Sequence, residues 1–394
     1  MGARQDIPGA ENFVLQSAIG AYTDEAYTNA KKLSGTGIAG ADAEIDVNTE
    51  TFIGQLRWKK PLKPVINILS LTDPTDGTRT TIASNFATYV KSARSHGANQ
   101  VNIQQVVTQN DGLAKIARDF SETRAQDEHN AILSVLKGVA ISELVNGAAS
   151  GSGAAGLGGQ TFDNDPEDRK YGFYVDLGLN PLILEADAAR QGAARADAFL
   201  QALGMGWKDY EPPYAYLIVS PKVLASLRSA NLVDSDRVRD GQIEFETIFS
   251  GKFRLIITRA NQGLSAAERT AINTGAGVDL VAPLTTFIVM PNSLAFNNMT
   301  VPLPVEVDRK AAAYQGGGVT DVWYRWGYVV HPRGYTWNGS EDQFASDANY
   351  MEIKDGSGDM IPLAGATLDA ATRGAFVRKS TSALSLGILP IFHS

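Results

Sequence analysis

The sequence predicts an α+β protein, with α/β left open for its second half. Residues 112–147 hold helix-compatible spacing over a length rare in globular chains. Two β-rich runs flank the turn DPTDGT at 73–78. Short apolar strand and helix patterns then alternate from about residue 177 to 330.

Taken in order, residues 1–50 read as an arm. A short helix fits 11–22, but GTGIAGADAE at 35–44 is small, glycine-rich and without period, so it must lie against something else to be ordered. Residues 62–71 and 80–90 form the two sides of a long hairpin around Pro74 and Gly77. The helix at 112–147, about 54 Å long at 1.5 Å per residue, has Asp111 as N-cap and Gly147 as C-cap. Its ends are amphipathic, with Leu113, Ile116 and Phe120 at one and Ile132, Leu136 and Val139 at the other. Its middle, 121–130, is almost wholly polar, with Arg118–Glu122 and Arg124–Glu128 spaced i,i+4. A polar middle in so long a helix means that it bridges two packed regions or meets other chains.

A glycine-rich loop follows at 148–160. Beyond it come a helix at 186–203, strands at 214–219, 253–258 and 285–290, and helices at 221–231 and 265–273. A strand pair at 301–309 and 321–330 closes this region, its second member DVWYRWGYVV aromatic and β-branched. From about residue 352 the chain turns glycine-rich and polar, ending on the apolar LGILPIF.

Composition narrows the chemistry. The chain has 394 residues and no cysteine, which excludes disulfides, thiolate nucleophiles and iron–sulfur clusters. Its four histidines are scattered. A formal charge of −8 argues against a dedicated DNA-binding surface. The charge is uneven: residues 1–56 carry three basic and eight acidic groups, residues 57–115 eight basic and three acidic. An acidic arm thus precedes a basic hairpin. No secretory signal or bilayer-spanning segment is expected, and the chain reads as soluble.

The catalytic and binding motifs all fail on context. Gly151, Gly153 and Gly156 satisfy GxGxxG, but a helix precedes them where a strand is required. Asp163, Asp165, Glu167 and Asp168 lack the glycine and glutamate of a calcium loop and read as a solvated turn, as do Asp355 and Asp359 in DGSGD. His129 has leucine, not histidine, four positions on, and His331 in HPRG reads as a structural hydrogen-bonding residue. No enzyme activity and no cofactor or metal is expected.

Several segments together resemble the major capsid proteins of tailed bacteriophages: FIGQLRWKKPLKPVINILSLT (52–72), GLAKIARDF (112–120), TRAQDEHNAILSVLKGVA (123–140), IVSPKVLASLRSANL (218–232), FSGKFRLIIT (249–258), PVEVDRKA (304–311), HPRGYTWNG (331–339) and SDANYM (346–351). They occur in the family's order. The resemblance implies the Hong Kong 97-type (Johnson) capsid fold: an N-terminal arm at 1–50, an E-loop hairpin at 51–110, a spine helix and following loop of the P-domain at 111–179, an A-domain at 180–299, and P-domain return strands at 300–352. Residues 353–394 are a C-terminal extension past the matched motifs, with no role assigned.

The implied function is structural: self-assembly as pentamers and hexamers into an icosahedral head enclosing double-stranded DNA, built in the bacterial host cytoplasm and ending in the virion. The chain itself is the main partner. A separate scaffolding protein, a portal and a decoration protein are further ones, DNA is contacted non-specifically, and no membrane is involved. The interface residues expected are Arg57, Trp58, Lys59, Lys60 and Lys63 on the hairpin, Arg118, Glu122, Arg124, Asp127 and Glu128 on the helix, and Asp42, Glu44 and Asp46 on the arm. The arm's acidic groups are expected to meet a neighbour's hairpin base. An encapsulin-like compartment shell shares the fold and is the alternative; a two-domain enzyme is the alternative of another class.

Overall fold

The computed structural model describes residues 33–48, 51–59, 84–101, 112–148, 175–176, 214–229, 232–240, 243–258, 263–276, 280–310, 318–368, 372–379 and 386–393. The expected helices at 11–22 and 186–203, the hairpin's outer part, the glycine-rich loop after residue 148 and the acidic turn at 163–168 lie outside these residues.

The chain enters through a single 3-10 turn, Leu33–Gly35, and a two-residue strand β1 (Ala39–Gly40). Strand β2 (Ile53–Lys59) pairs antiparallel with β3 (Ser84–Val101), Ile53 opposite Val90 and Lys59 opposite Ser84. At 18 residues β3 runs well past the expected end at residue 90. Its second half, SARSHGANQV, is polar and carries no strand pattern, so only its tertiary partner fixes it as a strand. Helix α1 (Gly112–Ala148) follows, with Gly147 inside its last turn rather than beyond it.

After β4 (Val175–Asp176) the second body begins: β5 (Ala215–Val219), α2 (Pro221–Ser229), β6 (Val233–Asp240), β7 (Ile243–Ile248), β8 (Phe253–Ile257), α3 (Ala266–Ala276) and β9 (Leu284–Val289). The chain then returns through β10 (Leu294–Asn298), β11 (Val305–Lys310), β12 (Val319–Pro332) and β13 (Tyr335–Trp337). The tail adds β14 (Glu352–Lys354), β15 (Met360–Pro362), β16 (Arg373–Gly374), β17 (Phe376–Arg378) and β18 (Ile388–His393). The fold is α+β.

Two main sheets organise these strands. The first runs β1-β10-β12-β3-β2, with β11 beside the first half of β12. The second, mixed sheet runs β4-β18-β9-β5-β8-β7-β6. The strands AYLIV and LTTFIV, buried along almost their whole length, lie side by side in the second sheet, as strands covered on both faces do. The segment 353–393, which the sequence leaves without a role, is built into both bodies. β17 pairs with β13, and β18 pairs with β9 on one side and β4 on the other, with every residue of β18 buried.

A single apolar cluster extends from α1 through both sheets. The chain crosses from the second sheet to the first between β9 and β10, and the tail crosses back beside it. There the Met290 N–H donates to the Gly387 carbonyl at 2.7 Å, and the Ser293 hydroxyl donates to the Met290 carbonyl at 2.6 Å. A Cβ on Gly387 would lie 2.0 Å from the Ser293 hydroxyl oxygen, so only glycine lets the two crossings touch. Among the described residues no helix is long and apolar enough to cross a membrane.

Candidate assembly surfaces

The polar middle of α1 lies on the aromatic strand β12. Period-two alternation puts Tyr324, Trp326 and Tyr328 on one face of that strand, where Tyr324 stacks with both Phe120 of the helix and Trp326, and Tyr328 stacks with Phe296 of β10. Their polar tips meet the helix's charged groups. One Asp127 oxygen accepts the Trp326 indole N–H and the Tyr328 hydroxyl, each at 2.8 Å. The other accepts Arg94 of β3 at 3.4 Å. Arg94 also donates to the Ala345 carbonyl at 2.8 Å and pairs with Asp347 at 3.0 Å. Four segments, β3, α1, β12 and the 345–352 turn, are thus joined at one node. Burial, then the Asp127 charge, pushes the Tyr328 hydroxyl far above its ordinary range. Burial also raises the Asp347 carboxyl, against the pull of Arg94.

Beside the node, Arg124 pairs with Glu128 at 3.1 Å, the i,i+4 contact its spacing suggests. It also donates to the Tyr324 hydroxyl at 2.8 Å and to Asn298 at 3.2 Å. Glu128 is fully buried. Of the five helix residues expected at an interface, Arg124, Asp127 and Glu128 therefore spend polar atoms inside the chain. Arg118 and Glu122 are exposed.

The arm's acidic residues divide similarly. Asp42 pairs with Arg333 at 3.3 Å, so its carboxylate finds a cation within its own chain, in the HPRG motif. Its backbone is held at both ends by the Asn297 amide: the Asp42 N–H donates to Oδ1 at 2.8 Å, and Nδ2 donates to the Asp42 carbonyl at 2.7 Å. Asp46 takes the Tyr89 hydroxyl on its carbonyl at 2.8 Å, while its carboxylate caps the Asn48 N–H. Glu44 is exposed. On the hairpin, Arg57 is exposed on β2 opposite the equally exposed Phe86. Trp58 and Lys59 complete β2, and Lys60 and Lys63 lie outside the described residues.

The SDANYM motif is a second joint. The Asn349 side chain accepts both the Ser346 N–H, at 2.9 Å, and its hydroxyl, at 2.7 Å, and donates to Glu352 at 2.9 Å. The tight turn so formed drops onto α1 at Gly138, where a Cβ would lie 2.0 Å from the Tyr350 carbonyl oxygen. Tyr350 is buried against Phe376 and Trp337. Further along the helix, the Ser142 hydroxyl accepts the Phe376 N–H at 3.1 Å, and Glu143 pairs with Arg378 at 3.5 Å.

Polar contacts, beside the shared apolar cluster, tie helix α1 to the second body. His129 contacts the Thr258 hydroxyl at 3.3 Å, and Lys137 pairs with Glu268 at 3.1 Å. Glu268 closes a capping box on α3 as well, accepting the Ser265 N–H at 2.6 Å while its own N–H donates to the Ser265 hydroxyl at 3.2 Å. Two buried histidines bond within the fold. His331 is buried against the Tyr335 carbonyl at 3.0 Å, and burial lowers its pKa to about 4. His393 contacts the Thr286 hydroxyl at 2.8 Å. Asp355 closes the β14–β15 turn by accepting the N–H groups of Ser357 and Asp359 at 2.9 Å each. Among the described residues no group of three or more metal-ligating side chains is assembled.

Sequence reasoning missed Arg94 and Asn297, which hold the node and the arm. A Trp and a Tyr two apart on a buried strand both need an acceptor, which points to Asp127 and only through it to Arg94. Nothing local marks Asn297.

No protein-family model matches the sequence, and no curated protein does. The structure is similar to solved phage capsid structures. Against "Capsid of Ralstonia phage GP4" the identity is 11%, with 81% of this chain and 88% of that one covered and a TM-score of 0.47. Against "The head structure of Helicobacter pylori bacteriophage KHP40" the identity is 8%, the coverage 93% and 91%, and the TM-score 0.43. Against "Cyanophage Pam1 capsid asymmetric unit" the identity is 11%, the coverage 93% and 92%, and the TM-score 0.40.

Proposed function

We propose that this chain is the major capsid protein of a tailed phage, self-assembling as pentamers and hexamers into an icosahedral head around double-stranded DNA. The observation that carries the reading is the joint between the 37-residue helix α1 and the long β3–β12 pair. All the motifs that resemble capsid proteins within the described residues converge on this joint or on the second sheet. The β3 ladder then continues into β2, where Arg57 and Phe86 stay exposed. Exposed aromatic and arginine side chains at the base of a hairpin suit contact with another copy.

In this reading the assembly contacts fall to Arg57, Trp58, Lys59, Lys60 and Lys63 on the hairpin and to Arg118 and Glu122 on the helix. Arg124, Asp127 and Glu128 support assembly by fixing the helix on its sheet. Surface ion pairs are individually weak, about 0–1 kcal/mol, and act through repetition over many copies. A separate scaffold and a portal complete the particle.

The test is electron microscopy of the purified chain, alone and with Arg57, Lys59, Lys60 and Lys63 all changed to Glu. Closed shells or capsomers are expected from the parent and their loss from the variant. Absence of any shell or capsomer from the parent under all assembly conditions overturns the reading. Shells from the variant that stay intact across ionic strength overturn the assignment to the hairpin. Shells filled with a protein cargo instead of DNA would favour a compartment shell.

A further inference from the structure

The face of the first sheet turned away from α1 carries an exposed apolar patch. Tyr324, Trp326 and Tyr328 of β12 bond to the helix, so the two-residue period turns Asp321, Trp323 and Arg325 outward. On β11 the buried Val305 and Val307 face inward, and Glu306, Asp308 and Lys310 share the outer face. Trp323 is 45% exposed, and Leu303, just before β11, is 66% exposed.

Both side chains are held in place. A Cβ on Gly97, the β3 residue opposite Trp323, would lie 2.8 Å from the indole, so the ring rests directly on the glycine. Leu303 has a φ of 51°, a left-handed conformation rare for a bulky residue and outside the extended range favoured before a proline. Arg325 pins this turn. Its backbone N–H donates to the Pro304 carbonyl at 2.7 Å, and its guanidinium donates to the Leu303 carbonyl at 3.4 Å and to Glu306 at 2.6 Å. Backbone strain that keeps an apolar side chain in water points to a contact surface.

The order of charges says what covers it. Along the outer face Arg325 comes first, then Trp323 beside Glu306, then Asp321 beside Asp308. Lys310 lies 2.7 Å from Asp321 and 3.8 Å from Asp308, one positive charge to two negative ones. Turned end for end about Trp323, this row fits itself. Arg325 of each copy falls on Asp321 of the other, with Asp308 beside it, and the two indoles meet at the centre. A two-fold contact requires such self-complementarity. Trp and Arg are also the side chains that most often anchor interfaces.

We propose that the outer face of β11 and β12 is a two-fold contact between two copies of this chain, with Trp323 stacked on Trp323 and each Arg325 on Asp321 of the other copy. This adds a contact to those of the hairpin and does not depend on the capsid reading.

The test uses the absence of cysteine from the full-length chain. Glu306→Cys places one thiol beside the two-fold axis, and Ser357→Cys places one on the exposed β14–β15 turn as a control. Stacked sheets lie about 10 Å apart, so a short bismaleimide, not a disulfide, is the probe. Glu306→Cys is expected to give crosslinked dimers at least tenfold faster than Ser357→Cys at equal concentration. Adding Trp323→Asp should bring its rate down to the control. So should Arg325→Glu or Asp321→Arg, since each sets like charges against each other in a pair of identical copies. An equimolar mixture of the two charge variants should recover at least half the original rate, because opposite charges then meet on both sides of the axis. If Glu306→Cys does not fold, sedimentation of the cysteine-free chains reads the same comparison. Equal rates for Glu306→Cys and Ser357→Cys overturn the proposal. So does a rate that Trp323→Asp leaves unchanged, or a mixture no faster than either charge variant alone.

Discussion

Trp326 donates its indole N–H to Asp127 at 2.8 Å, joining the aromatic strand of the first sheet to the polar midpoint of the long helix. The same carboxylate oxygen accepts the Tyr328 hydroxyl. Replacing Asp127 by Ala would strand two buried donors and leave Arg94 with one carboxylate fewer. The expected loss is about 3 kcal/mol, with Asp127→Asn losing roughly half as much because it keeps an acceptor. Urea unfolding of the two variants measures this, and equal losses would show that the hydrogen bonds carry none of it.

Gly138→Ala reverses the usual sign. In a helix interior Ala is favoured over Gly by about 1 kcal/mol. Here the added Cβ would lie 2.0 Å from the Tyr350 carbonyl oxygen, a backbone atom held by the Ser346–Asn349 turn. The substitution is expected to destabilise by about 1–3 kcal/mol, the usual range for overpacking. A rise in melting temperature would show that the turn yields freely.

His331 makes stability depend on pH. Its folded pKa, lowered to about 4, lies below the ordinary 6.5 of the unfolded chain. Between those values the unfolded chain binds the proton and the folded one does not. Stability is therefore complete above about pH 6.5 and falls as the pH drops toward 4, by on the order of 3 kcal/mol in all. In His331→Gln this part of the slope should vanish. Denaturant midpoints at half-unit steps from pH 7 to 4 compare the two, and identical slopes would exclude His331 as the source.

Removing residues 386–394 takes β18 from between β9 and β4. Six residues, all buried, leave the sheet, and the buried β9 gains an open edge. The truncated chain is expected to lose most of a typical domain's stability of about 5–15 kcal/mol and to be recovered as aggregate. Soluble, protease-resistant protein would contradict this.

Much of the fold was legible where local pattern and tertiary role agree. The helix 112–147 and the strands at 214–219, 253–258 and 285–290 have the period and apolar content that their places demand, and they appear within a few residues of expectation. The second half of β3 was not legible, because SHGANQ is a strand only through β12. The tail was missed for a similar reason: its two- and three-residue strands carry no period. ILPIFH contains a proline that argues against a central strand, yet it pairs on both sides. Within the candidate surfaces, the polar helix centre and the aromatic strand were each visible, but not that they face each other. Charge counting found an acidic arm and a basic segment. It could not find Arg333, a single cation far along the chain that takes Asp42.

The placement of β18 bears on the order in which the second sheet closes. β18 lies between β4 and β9, so β9 keeps one flank open until a segment about a hundred residues further along the chain arrives. That closure is a long-range event, and its loop entropy must be met before the pairing offsets it. The sheet is therefore finished late, by a strand that local pattern does not announce.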